Sequence, residues 1–449
     1  MENLQEFSIP LLLGVLLAML AANLSPAGYA EVLHWHPFGD VAVFGHSLSF
    51  HFLVNDVFMV FFFGIAAKEI TESTLPGGSL NPIHKAITPL VATLGGVVGP
   101  VVAFFAGLHL LFGVGIYDHA VDDFTGLSRG WGIPTATDIA LAWLAARTVF
   151  GRGHPAVAFL LLLAVADDAI GLIIIAIFYG DPSHPVAPVY LLLVVAGMGI
   201  SYALRRANVR QWYVYVGIGG PLAWAGLVLA HLHPALALVM IVPFMPGPHE
   251  DTGLFVGRDE VDVMGEETAA ALHIEHSPLH LFEHQLKLAV DFGLFFFAFV
   301  NAGVELTSIG PMTWLILGAL VVGKTIGVTL GAVGAVRVGF ALPAGMGMAE
   351  LVMAGFIAAL GLTVALFVAT AAYLDPILQG QAKMGALFSG AVGLIAVVLG
   401  RALGLGSRKR EPASVPKAVA AEGPKVAGTA PEAPSGATPD PIRVLPRDS

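Results

Sequence analysis

Twelve apolar runs divide this chain, near 8–25, 54–72, 83–112, 121–146, 154–179, 186–204, 212–231, 233–246, 286–306, 311–336, 343–374 and 381–405, the eighth of them short. A bilayer core of about 30 Å takes roughly 20 apolar residues per helix. Twelve helices would use about 240 residues, and connections and a tail would fill the remainder of the 449. Composition removes the soluble alternative. Hydrophobic residues are 56 % of the chain and charged residues 12 %, whereas a soluble domain carries about 25 % charged residues. So little charge cannot coat a water-soluble globule. A soluble enzyme and a disordered chain are excluded, and a net charge of −11 argues against a nucleic-acid partner. Without cysteine there is no disulfide framework, thiolate metal site or catalytic thiol. The expected fold is all-α, an integral membrane protein of about 12 transmembrane helices embedded in lipid.

The first run follows MENLQEF, which has no Lys or Arg, so it reads as a retained helix rather than a cleaved signal. With the N-terminus in the cytoplasm, the even-numbered connections hold Lys68, Lys85, Arg147, Arg152, Arg205, Arg206, Arg210, Arg258, Lys287 and Arg337. The opposite side holds little beyond Arg129 and Lys383. This asymmetry is the positive-inside pattern and predicts both termini in the cytoplasm. The membrane domain is expected over 1–405. Within it, 28–50 reads either as a hairpin on the outer face or as an irregular loop. Residues 249–284, with nine Asp or Glu and five His against one Arg, read as an acidic, His-rich cytoplasmic loop. Residues 406–449, with eight Pro, read as a disordered cytoplasmic tail.

A few charges sit where lipid depth makes them expensive. Asp167 and Asp168 lie side by side at the midpoint of His154–Tyr179 and are its only charges. A charge at that depth costs at least ~2.5–3.5 kcal/mol. A structural strut would need one carboxylate, so the pair reads as a cation or proton site facing a water-filled funnel. Asp138 follows Ile133-Pro134-Thr135-Ala136-Thr137. Pro134 lacks an amide donor and disfavours helix at the residue before it, so the helix is expected to break there, with Asp138 opening its second half or simply capping it. Lys324 stands alone in Leu315–Gly334, and a buried ammonium needs a partner, for which Asp167 or Asp168 is the candidate. Residues 318–325 satisfy the P-loop pattern, but that pattern has meaning only between a strand and a helix. Both flanks here read as membrane helix, so no ATP is expected.

The stretch 83–179 breaks its middle helix at Pro134–Asp138, and 311–405 carries Gly361 and Thr363 at matching depth in its own middle helix. Interrupted helices in corresponding positions of two halves point to a transporter site built on inverted repeats. Crossed half-helices place positive and negative dipole ends together, which Asp138 and Lys324 would neutralise. In the His-rich loop, His276, His280 and His284 are spaced by four, but Pro278 is expected to interrupt their shared face. A titrating mouth that attracts cations is the preferred reading.

These residues together resemble the NhaA-type bacterial sodium/proton antiporters. The likeness rests on Gly-Trp-Gly-Ile-Pro-Thr-Ala-Thr-Asp-Ile-Ala at 130–140, Ala-Asp-Asp at 166–168, Ile-Ile-Ile-Ala-Ile-Phe-Tyr at 173–179, Phe-Glu-His at 282–284, Phe-Ala-Phe-Val-Asn-Ala-Gly-Val at 297–304 and Gly-Lys at 323–324. It implies two crossed broken helices, Asp168 as the main Na+ ligand with Asp167 nearby and paired to Lys324, and Thr137 and Asp138 lining the crossing. It implies electrogenic exchange of internal Na+ or Li+ for external H+, with no cofactor, in the bacterial inner membrane, and a homodimer joined partly by an outer hairpin. The family's second helix typically ends Gly-Leu-Glu-Val-Lys-Arg-Glu; here Gly64-Ile65-Ala66-Ala67-Lys68-Glu69-Ile70 lacks both glutamates. Glu69, Glu283 and His284 are the remaining candidates for pH sensing. Two rivals are weighed. A sodium-coupled symporter of the same fold would want a positive or hydroxyl-rich cavity, and none is seen beyond Lys324. An intramembrane aspartyl protease would need a Gly-x-Gly-Asp element, which is absent. The reading is therefore a secondary transporter working by alternating access, and not an enzyme.

Overall fold

The computed structural model describes residues 9–39, 41–75, 78–81, 83–180, 184–247 and 277–405. Most of the acidic loop and the whole Pro-rich tail lie outside the described residues. Besides a short helix at Pro26–Leu33, twelve helical spans occur in chain order among the described residues: α1 Ile9–Leu24, α2 Phe50–Thr74, α3 Ile83–Gly113, α4, α5 Pro155–Phe178, α6 Pro188–Arg206, α7 Trp212–Leu229, α8 Pro234–Phe244, α9 Pro278–Asn301, α10 Pro311–Val338, α11 and α12 Pro376–Ala402. The fourth and eleventh are broken. α4 consists of Phe124–Ser128 running into a tight turn of helix at Arg129–Thr135, then α4b Ile139–Phe150. α11 consists of α11a Met348–Ile357 and α11b Thr363–Ala372. Among the described residues, seven helices have the length and apolar composition to cross a bilayer, and five shorter apolar helices accompany them. The chain is a multi-pass membrane protein of the all-α class.

The helices are apolar on the outside and hold their polar groups within. Leu16 and Leu20 on α1, Val98 and Val102 on α3, and Leu394 and Val398 on α12 are exposed, while Asp138, Asp167 and Lys324 are buried. This inverts the soluble pattern, because lipid solvates the apolar face and only the interior can pair charges. α1, α2 and α6 to α9 pack mainly with one another, and α3 to α5 pack with α10 to α12. The tightest contact, between α3 and α10, needs glycine. A Cβ on Gly95 would overlap the Gly327 carbonyl, and one on Gly327 would overlap the Gly95 carbonyl. Small residues let membrane helices approach backbone to backbone, and this approach carries Lys324 toward the centre of the bundle.

Several expectations are corrected. The fourth apolar run, read from 121, begins as a helix only at Phe124: Asp122 and Asp123, in the first third of that run, precede the helix, and Asp123 caps its start by accepting from the Thr125 and Gly126 amides. α9 begins at Pro278, not 286, because Ser277 caps the helix and proline suits its first position. Pro278 therefore starts the helix bearing His280 and His284 instead of interrupting it, and their rings lie 6.3 Å apart; His276 is outside the described residues. Lys68 is not in a loop but buried in α2, and Lys383 is not on the outer surface but buried in α12. Residues 318–325 sit within α10, partly as a π-helical turn, Ala319–Lys324. In 28–50, a helix at Pro26–Leu33 precedes an antiparallel pair, Ala42–Val43 with His46–Ser47.

Gly327→Ala should destabilise the protein by roughly 1–3 kcal/mol, the usual cost of overpacking. Gly334→Ala on the same helix, where a Cβ meets nothing within 4 Å, should be neutral or slightly stabilising. Thermal unfolding in detergent distinguishes the two; equal melting temperatures would remove the packing argument.

Candidate functional site

Two breaks make the site. In α4, Pro134 supplies no amide, and the Thr135 hydroxyl donates back to the Gly132 carbonyl at 2.8 Å. The chain then extends to Asp138, which caps α4b by accepting from the Leu141 amide at 3.1 Å through Oδ1. Its other oxygen, Oδ2, accepts from the Thr363 hydroxyl at 3.0 Å and the Thr363 amide at 3.3 Å. One carboxylate thus faces the N-termini of α4b and α11b together. Each N-terminus carries roughly half a positive charge, so bringing two together needs an anion between them. The carbonyl ends are served in turn. The Thr137 hydroxyl donates to Ala358 O at 2.9 Å, and the Asp138 amide donates to Leu360 O at 2.6 Å. The Lys324 ammonium donates to Thr135 O at 2.5 Å. Gly361 lets the strands cross, since a Cβ there would stand 2.9 Å from the Ala136 carbonyl oxygen. The Gly361 amide donates to the Ser389 hydroxyl at 3.2 Å.

α5 runs past this crossing unbroken. Consecutive residues on a helix point about 100° apart, and the two aspartates therefore meet different surroundings. Asp167 faces the bundle and pairs with Lys324 at 2.7 Å, both side chains being 0 % exposed. Asp168 faces a cavity of about 350 Å3. Its Oδ1 is buried and accepts no hydrogen bond among the described residues. Thr137, Asp138 and Thr363 line the same cavity, as do Phe62 and Ile65 of α2, and Glu69, Glu283, Lys287 and Asp291 add charges to its wall. Lys287, 55 % exposed, marks the open end. Beside it Lys68 bonds Glu72 at 2.6 Å and is paired with Glu283, tying α2 to α9. Carboxylate, hydroxyl and helix-end carbonyl oxygens around one uncommitted carboxylate make a set suited to a hard monovalent cation or a proton.

The crossing gathers Thr137, Asp138 and Thr363 with Pro134 and Gly361, and Lys324 joins Asp167 behind it. Glu69 and Glu283 reach the cavity; His284 does not line it. No group of three His, Cys, Asp or Glu that would hold a metal is found among the described residues. Sequence reasoning overlooked Asp291 and Trp143 in the cavity wall. Asp291 was detectable, because it is an acid inside the ninth apolar run, away from Lys287 and Glu305 at the two ends of that run, and depth within an apolar run is the signal that singled out Asp167 and Asp168. Trp143 gave no signal, since aromatic residues are ordinary in membrane helices.

Residues 2–403 match the family model described as Na+/H+ antiporter 1. The chain belongs to this family. Among its relatives, a protein of Geobacter sulfurreducens named Na+/H+ antiporter NhaA is 55 % identical over 401 residues, covering 89 % of this chain and 97 % of the relative. One of the same name from Desulfitobacterium hafniense is 56 % identical over 403 residues, covering 90 % and 95 %. Another from Jannaschia sp. is 41 % identical over 426 residues, covering 88 % and 96 %. As an antiporter-family chain it carries its two breaks in corresponding helices of two triplets, α3–α5 and α10–α12. Neither the symporter nor the protease reading finds support among these relatives.

The Lys324–Asp167 pair yields a stability test. Removing one partner strands a buried charge, at a cost of roughly 3–5 kcal/mol. Lys324→Gln with Asp167→Asn removes both charges at once. The double variant should melt above either single variant, and a double variant no more stable than both singles would refute the pairing.

Proposed function

We propose that this protein exchanges cytoplasmic Na+, or Li+, for external H+ by alternating access, for sodium and pH homeostasis. One observation carries the reading. Of two adjacent carboxylates in mid-membrane, Asp167 is paired through Oδ2 with Lys324, while Asp168 lines the cavity; the Oδ1 of each is buried and accepts no hydrogen bond among the described residues. A carboxylate so placed binds either a cation or a proton, and the two compete. When the cytoplasm is alkaline the site loses its proton and takes Na+ through the funnel. The α3–α5 and α10–α12 bundle then rocks against the other helices, and external protons displace the ion. Neighbouring acids titrate as a coupled set, so the proton count belongs to the site rather than to one residue. If Lys324 also gives up and regains a proton, more than one proton moves per Na+ and the cycle is electrogenic.

The same reading places the chain in the bacterial inner membrane with both termini in the cytoplasm, on the strength of the Lys and Arg asymmetry between its loops. It makes the chain a transporter driven by ion gradients, with no cofactor, rather than an enzyme. Glu69 and Glu283, which wall the funnel, and His284, which follows Glu283, are assigned to its pH response. A homodimer is expected, with the strand pair at 42–47 as part of its contact.

Asp168→Asn keeps the shape of the side chain but cannot exchange a proton for a cation. Na+-driven proton flux, read by a pH dye in vesicles, should vanish while the purified protein keeps its melting temperature. Flux at the unmodified rate would overturn the assignment of Asp168.

A further inference from the structure

Asp168 lines a cavity whose wall also includes the exposed Lys287, and alternating access requires the far side of the site to be closed while this side is open. Three helices that wall the funnel continue past it. α2 lines the funnel at Phe62, α9 at Leu294 and α11b at Thr363. Seven residues away along each helix, about 10 Å at 1.5 Å per residue, stand Asn55, Asn301 and Thr370. These three side chains meet. The Asn301 amide donates to Asn55 Oδ1 at 2.8 Å, and the Thr370 hydroxyl donates to Asn301 Oδ1 at 3.1 Å. Asn55 and Asn301 are buried, and polar side chains at such depth are kept only where they pair or act. Asn55 belongs to the π-helical turn Leu53–Phe58 of α2, an interruption frequent at functional positions. Between this cluster and the crossing, the rings of Phe63 and Phe367 pack edge to face, with centroids 5.0 Å apart.

The bonds divide unequally between the two helical groups. Asn55 and Asn301 sit on α2 and α9, in one group. Thr370 sits on α11b, in the other, on the half-helix whose Thr363 bonds Asp138. The Thr370–Asn301 bond therefore spans the boundary along which the groups must slide, on the side away from the funnel.

We propose that Asn55, Asn301 and Thr370, backed by Phe63 and Phe367, form the outer gate: the contact that keeps Asp168 closed to the exterior while the funnel is open, and that must part in every exchange cycle. The inference rests on the exchange reading above. Opening the gate releases a pair of buried polar groups that water can then solvate, so the gate is costly to part in the dry state and stable once flooded.

The chain has no cysteine, so an engineered thiol pair is unambiguous. In Asn301→Cys with Thr370→Cys, oxidative joining of the two positions should abolish Na+-driven proton flux in vesicles, and a reductant should restore it. Full flux with the link in place overturns the gate. A second arm uses Thr370→Val and Asn301→Ala, which weaken the closed outer contact. The outward-open state should gain population, and the apparent affinity for Na+ presented on the outer face should rise roughly fivefold, while affinity on the cytoplasmic face stays level or falls. A merely structural role would move both faces together, and equal shifts or none overturn the proposal; this arm decides alone if the thiols do not join. Absence of flux in the unmodified chain would instead sink the exchange reading itself.

Discussion

One carboxylate holds the centre of this protein together. Asp138 accepts from the Leu141 amide on one half-helix and from Thr363 on the other. Two helix N-termini meeting inside a membrane would repel each other and leave amides without acceptors. With Asp138 between them the crossing becomes attractive. Everything else at the site follows from this geometry. The extended segments free carbonyls at Thr135, Ala358 and Leu360, and a lysine, a hydroxyl and an amide from other positions meet them. Non-helical backbone at this depth is tolerated only where it is buried in protein or lines a cavity, and here both conditions are met.

The second constraint is charge balance. Lys324 is shared between a carbonyl end and Asp167, so the ammonium and one of the two adjacent aspartates stabilise the crossing and each other. A buried pair of this kind contributes little net stability compared with apolar packing. Its value lies in where it leaves the remaining charge. With Asp167 committed, Asp168 is the member of the adjacent pair that lines the cavity. The glycine contact between α3 and α10 lies directly against the lysine, since Gly99 packs on Gly323 and a Cβ on Gly96 would stand 3.9 Å from the Lys324 side chain.

The funnel and the cluster of Asn55, Asn301 and Thr370 occupy opposite stretches of the same three helices. Apolar and aromatic side chains separate them, and the polar groups on each side are of different kinds. The funnel wall carries ionisable groups, namely Glu69, Glu283, Lys287 and Asp291. The far cluster joins its helices through neutral amides and a hydroxyl. Charged groups attract ions into an open, wet vestibule, whereas neutral amides can pair fully where water is excluded, at much lower desolvation cost.

Sequence alone determined the class of fold and the identity of the central charges. Apolar runs of membrane length leave the chain no soluble alternative, and an ionisable residue within such a run is too costly to be incidental. Asp138, Asp167, Asp168 and Lys324 were therefore visible one by one, and Pro134 marked the first break because proline removes a donor wherever it stands. The second break was fainter, since glycine at 361 is ordinary in a membrane helix until the Ala136 carbonyl is seen against it. Spacing left open which aspartate Lys324 takes, and the resemblance implied Asp167; the tertiary structure decided it, because adjacent helical residues differ by a rotation that spacing in sequence does not orient against other helices. It also decided that Lys68 and Lys383 are interior rather than loop charges: a lysine near the end of an apolar run can sit on either side of the interface, and its depth depends on the carboxylates or packing that neighbouring helices bring to it. The far cluster was invisible for the same reason. Asn55, Asn301 and Thr370 are uncharged, scattered over more than 300 residues, and acquire meaning only where three helices bring them within hydrogen-bonding distance.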